Sequence, residues 1–299
     1  MKTKKTKRTR SEPSTRKEPR IGLALGSGGA KGISQVGVIQ VLQEHNIPIH
    51  AIAGVSAGAI VGAYLAIHGS IDGFEDALHR ISKHELLKLI DFSKPNRALF
   101  AGKKVERYLA TLLGDHDFDN LTIPLWIVAT DMLEGKEVWL KTGSVNQAIR
   151  ASISLPGIFP PHAYNNTLYL DGGLINPTPV STIKAMGADI VIAIDHTMRT
   201  ATPISKPNLF TTLARSYEII RTEMTKLKIG QDPYTILIRI QKNNLFDTYR
   251  FYKNEFIEEG IKEGQAHIEA IKQAIAAWQQ RHTKTLRQRK KKLKNKNTS

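Results

Sequence analysis

The pentapeptide GVSAG at residues 54–58 places one serine, Ser56, between two glycines, a spacing that can support nucleophilic chemistry. In a G-x-S-x-G turn the glycines let the backbone pass closely, and the serine hydroxyl stands clear at the tip. The segment joins a predicted strand, residues 47–54, to a predicted helix, residues 59–69. Backbone N–H groups at the start of that helix, such as that of Ala57, can stabilise a developing oxyanion. We therefore predict that Ser56 is a nucleophile, with a glycine turn and a capping serine as the simpler alternative.

The same stretch is apolar enough to raise the alternative of a membrane span. The apolar run from Ala51 to Ile67 is interrupted by a serine and three glycines, and it is shorter than the roughly 20 residues that a spanning helix needs. The spacing of Gly54, Gly58 and Gly62 also permits close packing of a helix in a soluble α/β protein. We expect no transmembrane helix in this chain.

A second glycine-rich segment, GSGGAKG at residues 26–32, precedes the serine turn and is called the glycine loop below. It does not match the P-loop pattern, because Lys31 precedes Gly32 and Ile33 stands where a hydroxyl would bind magnesium. The dinucleotide fingerprint fits only if Ser27 replaces its first glycine, and no acidic residue closes the second strand. The third interpretation is an oxyanion hole, in which several backbone N–H groups point at one oxygen.

The sequence LYLDGG ends a predicted strand at Asp171, followed by Gly172 and Gly173. This arrangement can fix a carboxylate at a sheet edge, although an aspartate before glycine is also common in turns. A Ser-His-Asp triad would need a positioned imidazole as well. His196 follows Asp171 and closes a strand, so it is the best histidine candidate, and His162 lies in a loop before Asp171. The residues alone leave a triad open.

Apolar runs and helical patterns alternate from residue 21 onwards, which predicts an α/β fold with a mainly parallel sheet. Strands are predicted at RIGLALG, IPIHAIAG, PLWIVATD, KEVWLKTG, TLYLDGG, ADIVIAIDHT and YTILIRI. Helices are predicted at ISQVGVIQVLQEHN, AIVGAYLAIHG, KHELLKLIDF and KKVERYLATLLG, around Leu209 to Ile229, and near the C-terminus. The Pro-rich stretch ASISLPGIFPPHAYNN is predicted to be a loop. Residues 21–280 show no repeat and no domain boundary, so we predict a single domain.

The net charge of +16 resides at the two ends of the chain. Residues 1–20 carry nine Lys or Arg and two Glu, residues 281–299 carry nine Lys or Arg and no acid, and residues 21–280 are neutral. We predict a disordered basic tail at 1–20 and a solvated basic C-terminal tail at 281–299. Polybasic segments are drawn to anionic membranes, by about 1 kcal/mol per basic residue, and also bind nucleic acid. Mere solvation of the tails is the simplest interpretation. Of the two binding interpretations we favour peripheral membrane contact, and we do not expect nucleic acid to be the functional ligand.

Composition narrows the chemistry further. The chain has no cysteine, which excludes a thiol nucleophile, disulfides and cysteine-ligated metals. The pattern of histidines and acidic residues shows no metal-ligand cluster, so we expect neither a metal nor another cofactor. No apolar run follows the basic residues within the first 20, which argues against a signal peptide. We expect a cytoplasmic protein, peripheral at the inner membrane surface.

Four segments in fixed order, GSGGAKG, GVSAG, ASISLPGIFPP and LDGG, resemble the patatin-like phospholipase family, in particular its compact bacterial members. The similarity extends from about Ile21 to about Asp195, and the joint pattern is far more specific than any one motif. It implies a three-layer α/β/α fold with 21–280 as the catalytic domain. It also implies a catalytic dyad without histidine, formed by Ser56 and Asp171.

The same resemblance assigns the supporting residues. The glycine loop corresponds to the family's oxyanion loop, with the N–H groups of Gly28 and Gly29, together with that of Ala57, as donors. The other motif positions are Ser27, Lys31, Gly32, Gly54, Gly58, Gly172 and Gly173. Ser27 stands where the family usually has a third glycine, and a serine there would be strained if the position required a positive φ. His162 occupies a position where we expect a small apolar residue.

The function implied by the resemblance is hydrolysis of lipid acyl esters, as in a phospholipase or lysophospholipase. Three alternatives remain on the residues alone. The first is a catalytically silent patatin-like domain that binds lipid or a partner. The second is an esterase with a conventional Ser-His-Asp triad, and the third is a nucleic-acid-associated protein on an unrelated α/β fold.

Overall fold

A computed structural model of the chain describes residues 18–79, 98–196, 208–230, 232–240 and 254–296. The strands are β1 (Ile21–Leu25), β2 (Ala51–Val55), β3 (Leu125–Asp131), β4 (Lys136–Leu140), β5 (His162–Tyr164), β6 (Thr167–Asp171), β7 (Ile190–Asp195) and β8 (Thr235–Arg239). The helices are α1 (Ser34–Glu44), α2 (Ala57–His68), α3 (Phe74–His79), α4 (Lys103–Leu113), α5 (Val145–Ser152), α6 (Val180–Ala185), α7 (Leu209–Ile229) and α8 (Asn254–Lys296). Residues 1–17 of the tail predicted at 1–20, and the helix predicted at 83–92, lie outside the described residues.

These strands form one sheet in the order β5-β6-β3-β2-β1-β7-β8, with β4 also paired to β3. The pairs from β3 through β2, β1 and β7 to β8 are parallel, whereas β4 and β6 pair antiparallel with β3. Alternation of apolar runs with helical patterns predicted such a sheet, and the structure confirms it.

The two faces of the sheet bury side chains of different size. On one face Leu23, Leu25 and Ile52 belong to a large core that also takes apolar residues from α1, α2 and α8. On the other face Ala24 and Ala53 pack with residues of α6, and the small side chains let this helix lie close to the sheet. Successive strand residues point to opposite faces, so both sides are covered by helices. The result is the expected three-layer α/β/α arrangement.

The predicted loop at residues 151–166 was wrong at its two ends. Helix α5 extends into it from Val145 to Ser152, and the stretch also contains strand β5. The helix begins after Ser144, whose side chain accepts a hydrogen bond from the N–H of Gln147. An eight-residue helix leaves only two turns of apolar pattern, too short to separate from a loop by periodicity.

The C-terminal segment also differs from its prediction. Helix α8 continues to Lys296, so most of the segment predicted as a solvated tail is helical. Lysine, arginine, glutamine and leucine dominate this segment, and all of them are good helix formers. Within the described ranges, no helix combines the length and the apolarity that crossing a bilayer requires.

Candidate active site

Ser56 lies in the turn between β2 and α2, at the carboxyl end of a central parallel strand. Its backbone angles are φ 54° and ψ −121°, a conformation that residues other than glycine rarely adopt. Holding a residue there costs about 1–3 kcal/mol, and such strain persists where the surroundings enforce it. The structure therefore confirms the predicted strand–turn–helix context of the GVSAG segment.

Two contacts hold this strained turn in place. The N–H of Ser56 donates to Oγ of Ser152 at 2.8 Å, and that hydroxyl donates to the carbonyl oxygen of Val128 at 2.7 Å. Gly58 allows close approach of the chains, because a Cβ there would lie 2.3 Å from the carbonyl oxygen of Leu25. The start of α2 thus packs directly against the end of β1.

The last residue of β6, Asp171, faces Ser56. Its Oδ2 accepts a hydrogen bond of 2.8 Å from Oγ of Ser56, and its Oδ1 accepts one of 2.7 Å from the N–H of Gly173. The hydroxyl of Tyr217 on α7 contributes a further hydrogen bond to this carboxylate. Only 2% of Asp171 is exposed. The carboxylate is therefore oriented from three sides and shielded from water.

Burial raises the pKa of Asp171 from its ordinary value of 3.8 to about 6. The hydrogen bonds from Gly173 and Ser56 and the positive charge of Arg221 favour the ionised form, but they only partly offset this desolvation. At neutral pH the group is mostly ionised, and it is a stronger base than an ordinary aspartate.

The register of β3 explains why Ser56 and Asp171 meet. Strand β2 pairs with residues 125–128 of β3, and β6 pairs with residues 129–131. Strand β4 pairs with 127–131, so it occupies one edge of β3 and leaves the other edge to β2 and β6. Val55 lies opposite Val128 and Asp171 lies opposite Ala129, so β2 and β6 end against neighbouring residues.

The glycine loop follows β1 at the same end of the sheet. Residues Gly29–Ile33 form a short 3-10 helix that leads into α1. The side-chain amide of Gln35 donates to the carbonyl oxygens of Gly26 and Gly32, at 3.1 and 3.0 Å. A Cβ on Gly32 would lie 2.4 Å from that of Ala57, so the loop touches the start of α2 directly.

Backbone donors are available where the loop meets α2. The N–H groups of Gly28, Gly29 and Ala57 donate to no acceptor among the described residues. Gly29 has a positive φ of 55°, which glycine adopts readily. The side chain of Lys31, at the expected basic position, is buried beside them.

Ser27 does not have the strain that its position suggested. It is absent from the non-glycine residues of positive φ in the described chain, so its Cβ carries no such penalty. Its N–H donates to the carbonyl oxygen of Pro177 at 2.8 Å, and its buried hydroxyl accepts a hydrogen bond of 2.9 Å from Nε of Arg221. A serine thus has a bonding role where the family usually has glycine.

Neither histidine of the alternative triad hydrogen-bonds to Ser56 or Asp171. Nε2 of His196 lies 2.8 Å from Oγ of Ser34, which donates its own proton to the carbonyl oxygen of Lys31. Nε2 of His196 is therefore the protonated nitrogen. Burial lowers the pKa of His196 to about 4.

The imidazole of His162 contacts side chains of α4 and α5. Its Nε2 contacts Oε1 of Gln147 at 2.9 Å, and its Nδ1 lies 4.0 Å from a carboxylate oxygen of Glu106. Burial, and to a lesser degree the charge of Arg150, lower the pKa of its imidazole to about 4. The ring is neutral at pH 7 and forms part of a side-chain cluster on α4 and α5.

Several residues around the site escaped the sequence analysis. Ser152 contacts the strained turn at Ser56, Tyr217 contacts the carboxylate of Asp171, and Arg221 contacts the glycine loop. Tyr217 and Arg221 are four residues apart in a correctly predicted helix, which is the spacing of one helical face. That polar pair was the available signal, whereas nothing local marked Ser152.

The fold and the site define a class of protein. It is an α/β protein with a serine at a strained strand–helix turn, a buried carboxylate on its hydroxyl and free backbone N–H groups nearby. In the described part of the chain, no three His, Asp or Glu side chains converge as metal ligands would. The family model for patatin-like phospholipases matches residues 23–183, more than half of the chain. The chain belongs to the patatin-like phospholipase family.

Relatives of known sequence agree with this assignment. An uncharacterised NTE family protein of Mycobacterium tuberculosis is 38% identical over 193 residues, which are 64% of this chain and 53% of that protein. A lysophospholipase of Phaeosphaeria nodorum is 31% identical over 182 residues, which are 58% of this chain and 12% of that protein. This chain thus matches about half of the mycobacterial relative and a small part of the fungal one.

A solved structure supports the fold. VipD of Legionella pneumophila superposes with a TM-score of 0.52 at 14% identity, over 88% of this chain and 68% of that chain. At this identity the likeness concerns architecture alone.

Proposed function

We propose that this protein is a serine hydrolase of lipid acyl esters, with Ser56 as nucleophile and Asp171 as its base. The observation that carries the proposal is the hydrogen bond of 2.8 Å from Oγ of Ser56 to Oδ2 of Asp171. It joins a half-buried serine in a strained turn to a carboxylate whose pKa is raised to about 6. A nucleophile within hydrogen-bond reach of an oriented base is the arrangement that covalent catalysis needs.

In the first half of the reaction Oγ of Ser56 attacks the ester carbonyl carbon, and its proton passes to Oδ2 of Asp171. The carbonyl oxygen becomes an oxyanion, stabilised by the N–H groups of Gly28, Gly29 and Ala57 and by the positive end of α2. The C–O bond to the leaving alcohol then breaks, and Asp171 returns the proton to that oxygen. An acyl-serine remains.

In the second half water attacks the acyl-serine carbonyl and gives a proton to Asp171. The second oxyanion uses the same backbone donors. Collapse breaks the bond to Oγ of Ser56, which recovers the proton from Asp171, and the carboxylic acid leaves. The cycle needs one base that accepts and donates in turn, and a pKa of about 6 suits both tasks at neutral pH.

The lipid nature of the substrate is supported by kinship. The family model is described as that of patatin-like phospholipases, and the fungal relative is named a lysophospholipase. We extend that substrate class to this chain as part of the proposal: phospholipid or lysophospholipid esters.

We also propose peripheral contact with an anionic membrane. Residues 281–299 carry nine basic residues and no acid, and all nine basic residues lie in α8. The outer face of α7 exposes large apolar side chains, namely Leu209, Leu213, Ile219, Ile220 and Leu227. An exposed helix face is usually polar, and an apolar one is typical of a contact surface. Because the inner face of α7 touches Asp171, a bilayer on the outer face would lie beside the site.

Vesicle co-sedimentation tests the membrane part separately. Binding to anionic and to zwitterionic vesicles is measured for three proteins. They are wild type, the double variant Leu213→Gln/Leu227→Gln, and a variant in which the nine basic residues of 281–299 are replaced by glutamine. We expect the basic-to-glutamine chain to lose its preference for anionic vesicles, and the leucine variant to bind both kinds less well. Unchanged binding in both variants would contradict membrane contact through these segments.

A panel of phospholipids, lysophospholipids and simple acyl esters tests the catalytic part. Wild type is expected to release fatty acid from at least one lipid, and Ser56→Ala and Asp171→Asn to lose this activity at least about 10³-fold. Labelling with a fluorophosphonate provides a readout that does not depend on the substrate, because only an activated serine reacts. A catalytically silent, lipid-binding domain would instead show no labelling and no difference between wild type and Ser56→Ala.

A further inference from the structure

The inner face of α7 carries a buried arginine that the proposed mechanism does not use. Arg221 is 4% exposed, and Thr225, one turn further along, is fully buried. A buried guanidinium is costly unless its donors are hydrogen-bonded, so the partners of Arg221 indicate what the charge is for.

Arg221 binds both polar groups of Ser27. Its Nε donates to Oγ of Ser27 at 2.9 Å, and Nη2 donates to the carbonyl oxygen of Ser27 at 2.5 Å. Nη1 donates to the carboxylate of Glu218 at 2.6 Å, one turn back on the same helix. A planar guanidinium can make these bonds together, whereas an ammonium group cannot span them. Ser27 immediately precedes Gly28, so the arginine holds the residue from which the N–H donors extend.

Tyr217, one turn before Arg221, reaches the other half of the site. Its hydroxyl hydrogen-bonds to the Asp171 carboxylate. A Cβ on Gly173 would lie 2.6 Å from the Tyr217 hydroxyl and 3.0 Å from both Oδ1 of Asp171 and Oγ of Ser27. The base, the tyrosine and the serine of the glycine loop therefore converge on one glycine.

We propose that Tyr217 and Arg221 are positioning residues, through which one helix face holds the Asp171 carboxylate and the glycine loop in register with each other. The inference rests on the proposed function, since it says how the base and the oxyanion donors are aligned. It also gives Ser27 a role, because its hydroxyl accepts the hydrogen bond by which Arg221 of α7 holds the glycine loop.

Both residues affect the pH profile through Asp171, and Arg221 also affects kcat through the glycine loop. The oxyanion exists only in the transition state, so a displaced glycine loop lowers kcat and leaves KM nearly unchanged. The positive charge of Arg221 and the hydrogen bond from Tyr217 both lower the pKa of Asp171, so the loss of either one raises that pKa. The acidic limb of the pH profile then moves to higher pH.

The variants are Tyr217→Phe, Arg221→Gln, Arg221→Lys, Ser27→Ala and the double variant Ser27→Ala/Arg221→Gln. Matched controls are Tyr234→Phe, directly before β8, and Arg107→Gln, at an exposed position on α4. For each, kcat and KM of a water-soluble ester are measured from pH 4.5 to 9, together with Tm.

We expect Arg221→Gln to lower kcat about 10- to 100-fold with KM within about threefold of wild type, and Arg221→Lys to recover little of the loss. Ser27→Ala lowers kcat by a smaller factor. The double variant is expected to lose less than the product of the two single losses, because both changes break the same hydrogen bond. Tyr217→Phe moves the acidic limb up by about 0.5–1 pH unit, and Arg221→Gln, which removes a positive charge near Asp171, moves it in the same direction. Both controls behave as wild type.

Folded Tyr217→Phe and Arg221→Gln proteins with wild-type kcat and an unmoved acidic limb would overturn the inference. If Arg221→Gln fails to fold, Arg221→Lys decides, because it keeps the charge but not the forked donors: a wild-type kcat in the folded lysine variant rejects the role of the arginine. Absence of fluorophosphonate labelling in wild type would instead refute the proposed function itself, so the two failures are distinguishable.

Discussion

Oγ of Ser56 lies 2.8 Å from Oδ2 of Asp171, although 115 residues separate the two in sequence. Their proximity follows from strand β3, whose one edge accommodates first β2 and then β6, running in opposite directions. Ser56 directly follows the end of β2, and Asp171 is the last residue of β6, so both lie where these two strands end on β3. The hydrogen bond between the proposed nucleophile and its proposed base is thus a consequence of sheet register, and it has consequences for pH dependence and stability.

The activity should titrate with the carboxylate of Asp171. Because burial raises the pKa of Asp171 to about 6, and the ionised form is the base, kcat/KM is expected to rise with pH through about 6 and to level off above 7. The check is a pH profile with an uncharged soluble ester. A half-maximum near pH 4, as for an ordinary aspartate, would contradict the effect of burial.

Replacing Asp171 by asparagine should stabilise the protein while removing activity. The carboxyl group has a pKa of about 6 in the folded protein and 3.8 when free, so the folded state binds its proton more tightly. Stability from this group is therefore full below pH 3.8 and is lost as pH rises through 6, a loss of about 3 kcal/mol at pH 7.5. Asparagine stays neutral and avoids this loss.

We expect Asp171→Asn to raise Tm by about 5 °C or more at pH 7.5, and by less at pH 5. Asp119→Asn, at an exposed position, serves as the matched control and should leave Tm unchanged at both values. A Tm for Asp171→Asn below that of wild type at pH 7.5 would show that the ionised carboxylate contributes net stability.

Ser152→Ala should loosen the strained turn at Ser56. The substitution leaves the N–H of Ser56 and the carbonyl oxygen of Val128 without their partner in a buried site. Unpaired buried groups of this kind cost about 1–3 kcal/mol. Urea unfolding of Ser152→Ala should show a lower midpoint with an unchanged m-value. Ser216→Ala, on the exposed face of α7, should keep the midpoint and the m-value of wild type. Equal midpoints for the two variants would mean that other contacts hold the turn.

His162→Ala is expected to keep hydrolysis within about threefold of wild type. The ring contacts Gln147 and Glu106, and no hydrogen bond joins it to Ser56 or Asp171. A general base that is removed costs at least about 10²-fold, so the assay separates the two mechanisms. Loss as deep as in Asp171→Asn, in a folded His162→Ala protein, would favour a histidine-based triad.

Much of the site's vicinity was predictable because its signals are local. The GVSAG turn, the glycine loop and the Asp-Gly-Gly end of a strand each combine glycines with one reactive or capping residue, and each was placed correctly between its elements. Helix α5 was missed because two helical turns carry too little periodicity, and Ser152 within it was missed for the same reason.

By itself the sequence determined the alternation of strands and helices, the three motif segments and the family to which they belong. Backbone preference and apolar spacing act over a few residues, so they can be read from the chain alone. Tertiary structure decided which titratable side chain meets Ser56, since the register of β3 brings Asp171 to it, while His162 and His196 make their hydrogen bonds elsewhere. It also decided the role of Ser27 and the pKa of Asp171, because both depend on burial and on partners, such as Arg221, that come from distant parts of the chain.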